Sequence, residues 1–314
     1  MNKYKIMIVS WHFPKNEDIL NLYKRMTPGC SGKWNNIEAT LNPNEADFFV
    51  VIDGYKGKMD NSKAIYFSQH PFGTDTFVSA SCRDFKDTPC LLAFPLNKYF
   101  NLSEVWVDYT YDELIKLQPP RKIKDLACIV TYQTHKPTYI NRIRFLHEFC
   151  PKYPNLALYG RPSKLFKKDN ILNKYYMGYL GNDTQKTIIG SYVSGKNILI
   201  NYRYSLEFDV GKTYNYISER FNDALLLWTM PIYFGSTNVE QLFPANCFKY
   251  VDITKENLTE EINNTINIIN NGFREEHIKD IAEARDLILN KYHTFAKVHE
   301  IINNLDKYKK EQGR

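Results

Sequence analysis

Apolar residues in the first third of the chain fall in short runs rather than at helical spacing. Residues 4–9, 46–52, 64–67 and 90–94 therefore read as strands, the second of them buried on both faces. Polar stretches and helical segments separate them, which is the layout of an open α/β domain. Residues 111–117 read as a short helix, and Pro119-Pro120-Arg121-Lys122 as a stiff polar connector and domain boundary. Beyond it, residues 124–130 form an apolar strand. An amphipathic helix follows, with Ile140, Ile143, Leu146, His147 and Cys150 near one face, and then a second strand at 156–160 that ends in a glycine. Residues 163–197, rich in Lys, Asn, Tyr and Gly, show no period and are expected as loops over a cleft. Helices are expected at 259–269, 275–289 and 295–305.

The densest pattern lies between Tyr202 and Val251. Phe221, Ala224, Leu225 and Trp228 share a helix face, and Ser218 stands where a cap is expected. Pro231 is expected to break this helix, and Ile232-Tyr233-Phe234 reads as a buried strand closed by Gly235. A helix start beside Arg220 offers unpaired N–H groups, a positive dipole end and a fork-shaped cation, all suited to a diphosphate.

These residues carry a resemblance. Tyr216-Ile217-Ser218-Glu219-Arg220, Ala224, Met230 to Gly235, Asn238-Val239-Glu240 and Phe243-Pro244 resemble the donor-binding signature of the α-1,3-fucosyltransferases, glycosyltransferase family 10, in its soluble bacterial or viral form. The family's Phe-Glu-Asn-Ser element falls on Phe208-Asp209-Val210-Gly211 and is only half kept. The family lysine is replaced by Arg220, a change from point cation to bidentate fork. The resemblance covers residues 124–253. It implies two Rossmann-like domains facing across a cleft (GT-B), with an acceptor-side domain at 1–120, a nucleotide-sugar domain at 121–290 and a C-terminal helix and tail at 291–314.

The implied activity is an inverting, metal-independent transfer of a sugar from a nucleoside diphosphate sugar, GDP-fucose by preference, to a glycan hydroxyl. The nucleotide sugar is a substrate and no cofactor is expected. Donor contacts are expected from Arg142 (with Arg144 competing for the role), Arg161, Asp209, Tyr216, Ser218, Glu219, Arg220 and Asn222. Glu219 and Arg220 also count as catalytic. The family's base is a Glu after a strand of the first domain, and the matching place here, Ser68-Gln69-His70-Pro71, holds no carboxylate. His70 is the candidate base, Asp75 the fallback, and His12, which closes the first strand after Trp11, could line the acceptor pocket. Alternative readings are another donor such as UDP-xylose, favoured by Val210 and Gly211, and a non-catalytic nucleotide or carbohydrate binder.

Composition narrows the class further. The 314 residues, 43% hydrophobic and 15% aromatic, suffice for two cores, and the 23 Tyr and 19 Phe suit core packing and sugar faces alike. A net charge of +6 from dispersed basic residues fits an anionic donor, and no nucleic-acid-binding module appears. There is no D-x-D motif, and the seven histidines form no metal-binding spacing. Cys30, Cys82, Cys90, Cys128, Cys150 and Cys247 form no C-x-x-C pair, and the last three lie in apolar patterns as buried thiols. With no apolar run long enough for a leader or a membrane span, the expected location is the cytoplasm, a host's if the source is viral.

Overall fold

The computed structural model describes residues 2–69, 89–95, 98–100, 102–160, 167–178 and 194–313. His70, Asp75 and Arg161 lie outside them. The first half contains β1 (Tyr4–Ser10), α1 (Asn16–Lys24), β2 (Lys33–Trp34), β3 (Ile37–Ala39), β4 (Phe48–Ile52), β5 (Ala64–Phe67), β6 (Leu92–Phe94) and α2 (Tyr111–Lys116). Its sheet runs β2-β3-β1-β4-β5-β6, parallel throughout except for the β2–β3 hairpin at the edge. Strand alternation sorts the apolar runs cleanly onto two faces. Ile6, Ile8, Val50, Ile52, Ile65 and Phe67 join one core, whereas Met7, Val9, Phe49, Val51, Ala64 and Tyr66 join the other.

The second half contains β7 (Lys124–Ile129), α3 (Pro137–Phe149), β8 (Leu156–Tyr159), β9 (Tyr176–Gly178), β10 (Tyr202–Phe208), α4 (Glu219–Leu226), β11 (Met230–Phe234) and β12 (Lys249–Tyr250). The order β12-β11-β10-β7-β8-β9 is all parallel, the doubly wound arrangement. Helices α5 (Thr259–Asn270), α6 (Phe273–Glu276) and α7 (Ile278–Leu287) follow. A five-residue π turn (Ile288–Tyr292) then leads into α8 (Thr294–Asn303) and α9 (Leu305–Gln312). Among the described residues no helix is long and apolar enough to cross a membrane.

Three expectations change. Pro231 does not end α4. Trp228, in a left-handed conformation at φ 60°, does so, and Pro231 sits near the start of β11 opposite Ser205. There β12 pairs only with Ile232 and Tyr233, so a residue without an N–H is tolerated. The helix expected at 275–289 is broken at His277 (φ −114°) and closes in the π turn. The segment expected as a C-terminal helix and tail carries two helices, and its Phe295, Val298, Ile301, Ile302 and Tyr308 pack into the core of the first sheet beside Ile6 and Ile65. The chain thus returns to its first half. Cys128, Cys150 and Cys247 are buried thiols, as their apolar surroundings implied.

Candidate active site

In both sheets the strand order reverses beside the first strand of that half, between β1 and β4 and between β7 and β10. Open α/β sheets bind ligands in the crevice beyond the strand ends at such a reversal. At the β7/β10 crevice the sequence signature is assembled by a buried carboxylate. Asp209, one residue past β10, accepts from the Ser218 hydroxyl, from the Ser218 N–H at 3.2 Å and from the Tyr233 hydroxyl at 2.5 Å. Burial pushes its carboxyl up, against the hydrogen bonds from Ser218 and Tyr233. Asp209 is therefore an anchor that fixes the loop into α4. Ser218 caps that helix by accepting from the Arg220 N–H at 3.3 Å. Gly235 is dictated by proximity, since a Cβ there would stand 2.1 Å from the Tyr233 hydroxyl. Reciprocal amide bonds between Asn215 and Asn238, each 2.8 Å, pin the two loops together.

Arg142 and Arg220 both act at Asp209, the first through a hydrogen bond and the second through its charge. Arg142, on α3 and buried, donates from Nη2 to the Asp209 carbonyl at 2.6 Å and stacks 4.8 Å from the Tyr139 ring. Its Nε is buried without a hydrogen-bond partner. Burial first, and then the positive charge of Arg220, push its guanidinium down to about 10. Two like charges are thus held within electrostatic reach of one another. Arg144 takes no part, because it donates to the carbonyls of Ile253 (3.0 Å) and Lys255 (2.5 Å). The competition between the two arginines resolves through helix geometry, since positions two apart point to nearly opposite sides.

Arg220 is 30% exposed, and the contact that ties its guanidinium among the described residues is a loose one to Glu219 at 3.7 Å. Burial opposes its charge, but Glu219, Asp209 and Glu207 outweigh burial and hold it protonated. Glu219 lies between Arg220 and Lys196, whose Nζ is 3.0 Å away. Burial would raise the Glu219 carboxyl, yet these two cations bring it down to about 2. It stays an acceptor at any working pH. Lys196 also reaches Asp223 at 2.8 Å, and Asp223 accepts from the Trp106 N–H at 2.8 Å. Tyr216 is half-buried, and its phenol is pushed up by burial and then by Asp209, Glu219 and Glu104. Asn222 is directed elsewhere, donating to the Glu104 carbonyl at 3.2 Å.

Two participants escaped the sequence reading. Lys196 sits in a stretch without periodicity, and its partners are 23 and 27 residues downstream, so no local signal marks it. Glu207 lies inside β10, buried with Oε1 unpartnered. Burial pushes it up to about 8 in spite of Arg220 and Lys196. A carboxylate flanked by Leu206 and Phe208 was its one available sign.

On the first sheet, residues at three strand ends converge. Asp53, one past β4, accepts from the Gln69 N–H at 2.7 Å and lies 3.1 Å from His12 Nε2. Trp11 stacks on the imidazole with ring centroids 4.0 Å apart.

The fold is similar to that of an α1,3-fucosyltransferase, at 15% identity over 97% of this chain and 89% of that one, with a TM-score of 0.53. A glycosyltransferase from Rickettsia africae ESF-5 matches at 12% identity over 99% of both chains, with a TM-score of 0.49. An α1,3-fucosyltransferase structure with GDP-fucose matches at 18% identity over 93% of each, with a TM-score of 0.42. No protein-family model and no curated protein matches the chain. The architecture is GT-B, two Rossmann-like domains across a cleft.

Proposed function

We propose that the chain is a glycosyltransferase that moves a sugar from a nucleoside diphosphate sugar to a glycan hydroxyl, inverting the anomeric centre and using no divalent metal. The observation that carries this reading is the arrangement about Asp209, whose carbonyl holds Arg142 and whose carboxylate anchors Ser218, the cap of the helix start that carries Arg220. Like charges held together are destabilised until an anion joins them, and a diphosphate is an anion of the right size and charge. As the bond from C1 to the phosphate oxygen breaks, the electron pair leaves with the nucleoside diphosphate. The two guanidinium groups and the helix start then oppose the charge that develops. Glu219, kept ionised by Lys196 and Arg220, accepts from hydroxyls of the donor sugar or ribose.

GDP-fucose is the preferred donor, on the resemblance of residues 216–244. A different donor such as UDP-xylose is the second reading, because Val210 and Gly211 offer neither the amide nor the hydroxyl of the resembling motif. The test is release of nucleoside diphosphate from a panel of nucleotide sugars offered with glycan acceptors. Turnover of GDP-fucose above the buffer rate supports the first reading and turnover of a UDP-sugar alone supports the second. Binding without turnover of any donor would make the chain a binder instead.

A further inference from the structure

Glu219, the first residue of α4, stands between two cations that are not equivalent. Lys196 Nζ is 3.0 Å from Glu219 Oε1, within hydrogen-bond distance, whereas Arg220 Nη1 is 3.7 Å from the same oxygen, beyond it. By chain position and chemistry the preference should run the other way. Arg220 is the adjacent residue, and its planar fork matches a carboxylate better than an ammonium does. We propose that Lys196 is a positioning residue of the donor site, which holds the Glu219 carboxylate away from Arg220 and so keeps the Arg220 guanidinium for the diphosphate.

The place of Lys196 is built to do this. It belongs to the 3-10 turns of Ser194–Asn201 that lead into β10, and its side chain is 15% exposed. The ammonium bridges Glu219 and Asp223, the second at 2.8 Å, and these carboxylates are four residues apart, on one face of α4. Asp223 is fully buried, and its other oxygen receives the Trp106 N–H at 2.8 Å. Close by, the Asp108 N–H donates to Asn197 Oδ1 at 2.8 Å, and Asn222 donates to the Glu104 carbonyl at 3.2 Å. Residues 104–108 are thus fastened both to α4 and to the segment that carries Lys196. The Trp106 ring lies 5.9 Å from the ammonium. Burial works against the Lys196 charge, but Asp223 and then Glu219 outweigh it and raise the ammonium.

These contacts make Lys196 a fixed partner rather than a mobile one. Asp223 holds the ammonium whatever Glu219 does, so the Glu219 side chain is drawn to a point set by the fold. With Lys196 gone, Arg220 is the cation left beside Glu219, and a small turn of the carboxylate closes the 3.7 Å gap. The ion pair that results occupies N–H groups that a phosphate would otherwise use. The second salt bridge of Lys196, to a carboxylate that faces away from any ligand, has its reason in this division of labour.

This assignment rests on the diphosphate reading of Arg220, and isothermal titration of GDP into a series of variants separates failure of one from failure of the other. Lys196→Met alone strands the buried Asp223 charge. The series is therefore built on Asp223→Asn, which keeps an acceptor for the Trp106 N–H, and the same substitutions in the wild-type background serve if Asp223→Asn does not fold. Against its reference, Lys196→Met is expected to weaken GDP binding about tenfold or more. Adding Glu219→Gln removes the competing charge, keeps an acceptor for a hydroxyl, and is expected to restore GDP binding to within about threefold of the reference. A lysine that only supports the fold gives no such recovery, because the added substitution cannot repair a damaged site. Unchanged binding on Lys196→Met, or a loss that Glu219→Gln does not restore, would overturn the assignment and leave the diphosphate reading standing. Failure of the wild-type protein to bind GDP would overturn that reading and the assignment with it.

Discussion

His293 makes a quantitative prediction about the place where the chain crosses back to its first half. It caps the π turn, pairs through its backbone with Ser103 and is 1% exposed. Its ring packs edge-on against Trp34 at 4.4 Å, and neither ring nitrogen has a hydrogen-bond partner. Burial pushes the imidazole from 6.5 down to about 3. The folded protein therefore excludes a proton that the unfolded chain takes up. Stability from this exclusion is complete above pH 6.5 and is lost as pH falls toward 3. At pH 5 the loss is about 2 kcal/mol, from RT ln(1 + 10^1.5) for the unfolded ring with almost no protonation of the folded one. His293→Phe removes the term without breaking a hydrogen bond, and His293→Leu serves if the larger ring overfills the site. Urea unfolding at pH 7.5 and pH 5, followed by tryptophan fluorescence, measures it. The wild type should lose about 2 kcal/mol more than the variant between the two pH values. Equal losses would refute the argument that His293 is buried as the neutral ring.

In the GDP-fucose turnover assay, Arg220→Ala should lose on the order of 3 kcal/mol of transition-state stabilisation. Arg220→Lys should retain most of the rate, because it keeps the cation beside Glu219, and equal small losses would make Arg220 a surface residue. Lys122, at the connector between the halves, donates to the carbonyls of Leu227 (2.6 Å), Ile200 (3.0 Å) and Leu199 (3.4 Å) and to Thr229 Oγ1 (3.0 Å). Lys122→Met should destabilise the fold by about 3 kcal/mol through stranded acceptors, read by urea unfolding, with GDP affinity unchanged.

Strands β4 and β11 were legible because buried parallel strands have no polar face to interrupt them, so their apolar runs need no partner to be recognised, whereas Arg203, Ser205 and Glu207 interrupt β10 and hid it. The Ser218 cap and Gly235 were legible because each is fixed by backbone geometry within a few residues. What the sequence hid depends on contacts made far along the chain. Lys196 acquires its role from Glu219 and Asp223, and the amphipathic run containing Phe295, Val298 and Ile302 does not announce that it covers the first sheet. Asp209 was read as a donor contact from its place in the motif, whereas its carboxylate is occupied by Ser218 and Tyr233. A motif position gives a residue's location and not the direction in which it spends its hydrogen bonds. The expected base at His70 and the expected donor contact at Arg161 lie outside the described residues.

The central claim is that Arg142, Arg220 and the start of α4 form a diphosphate site that needs no metal. Isothermal titration of GDP into the protein in excess EDTA tests it most directly, with Arg142→Ala and Arg144→Ala measured alongside. The account predicts metal-free binding by the wild type, a loss of tenfold or more on Arg142→Ala, and no change on Arg144→Ala, whose guanidinium is committed to Ile253 and Lys255. Binding that appears only when Mg²⁺ or Mn²⁺ is restored, or an equal loss from both arginine variants, would contradict it.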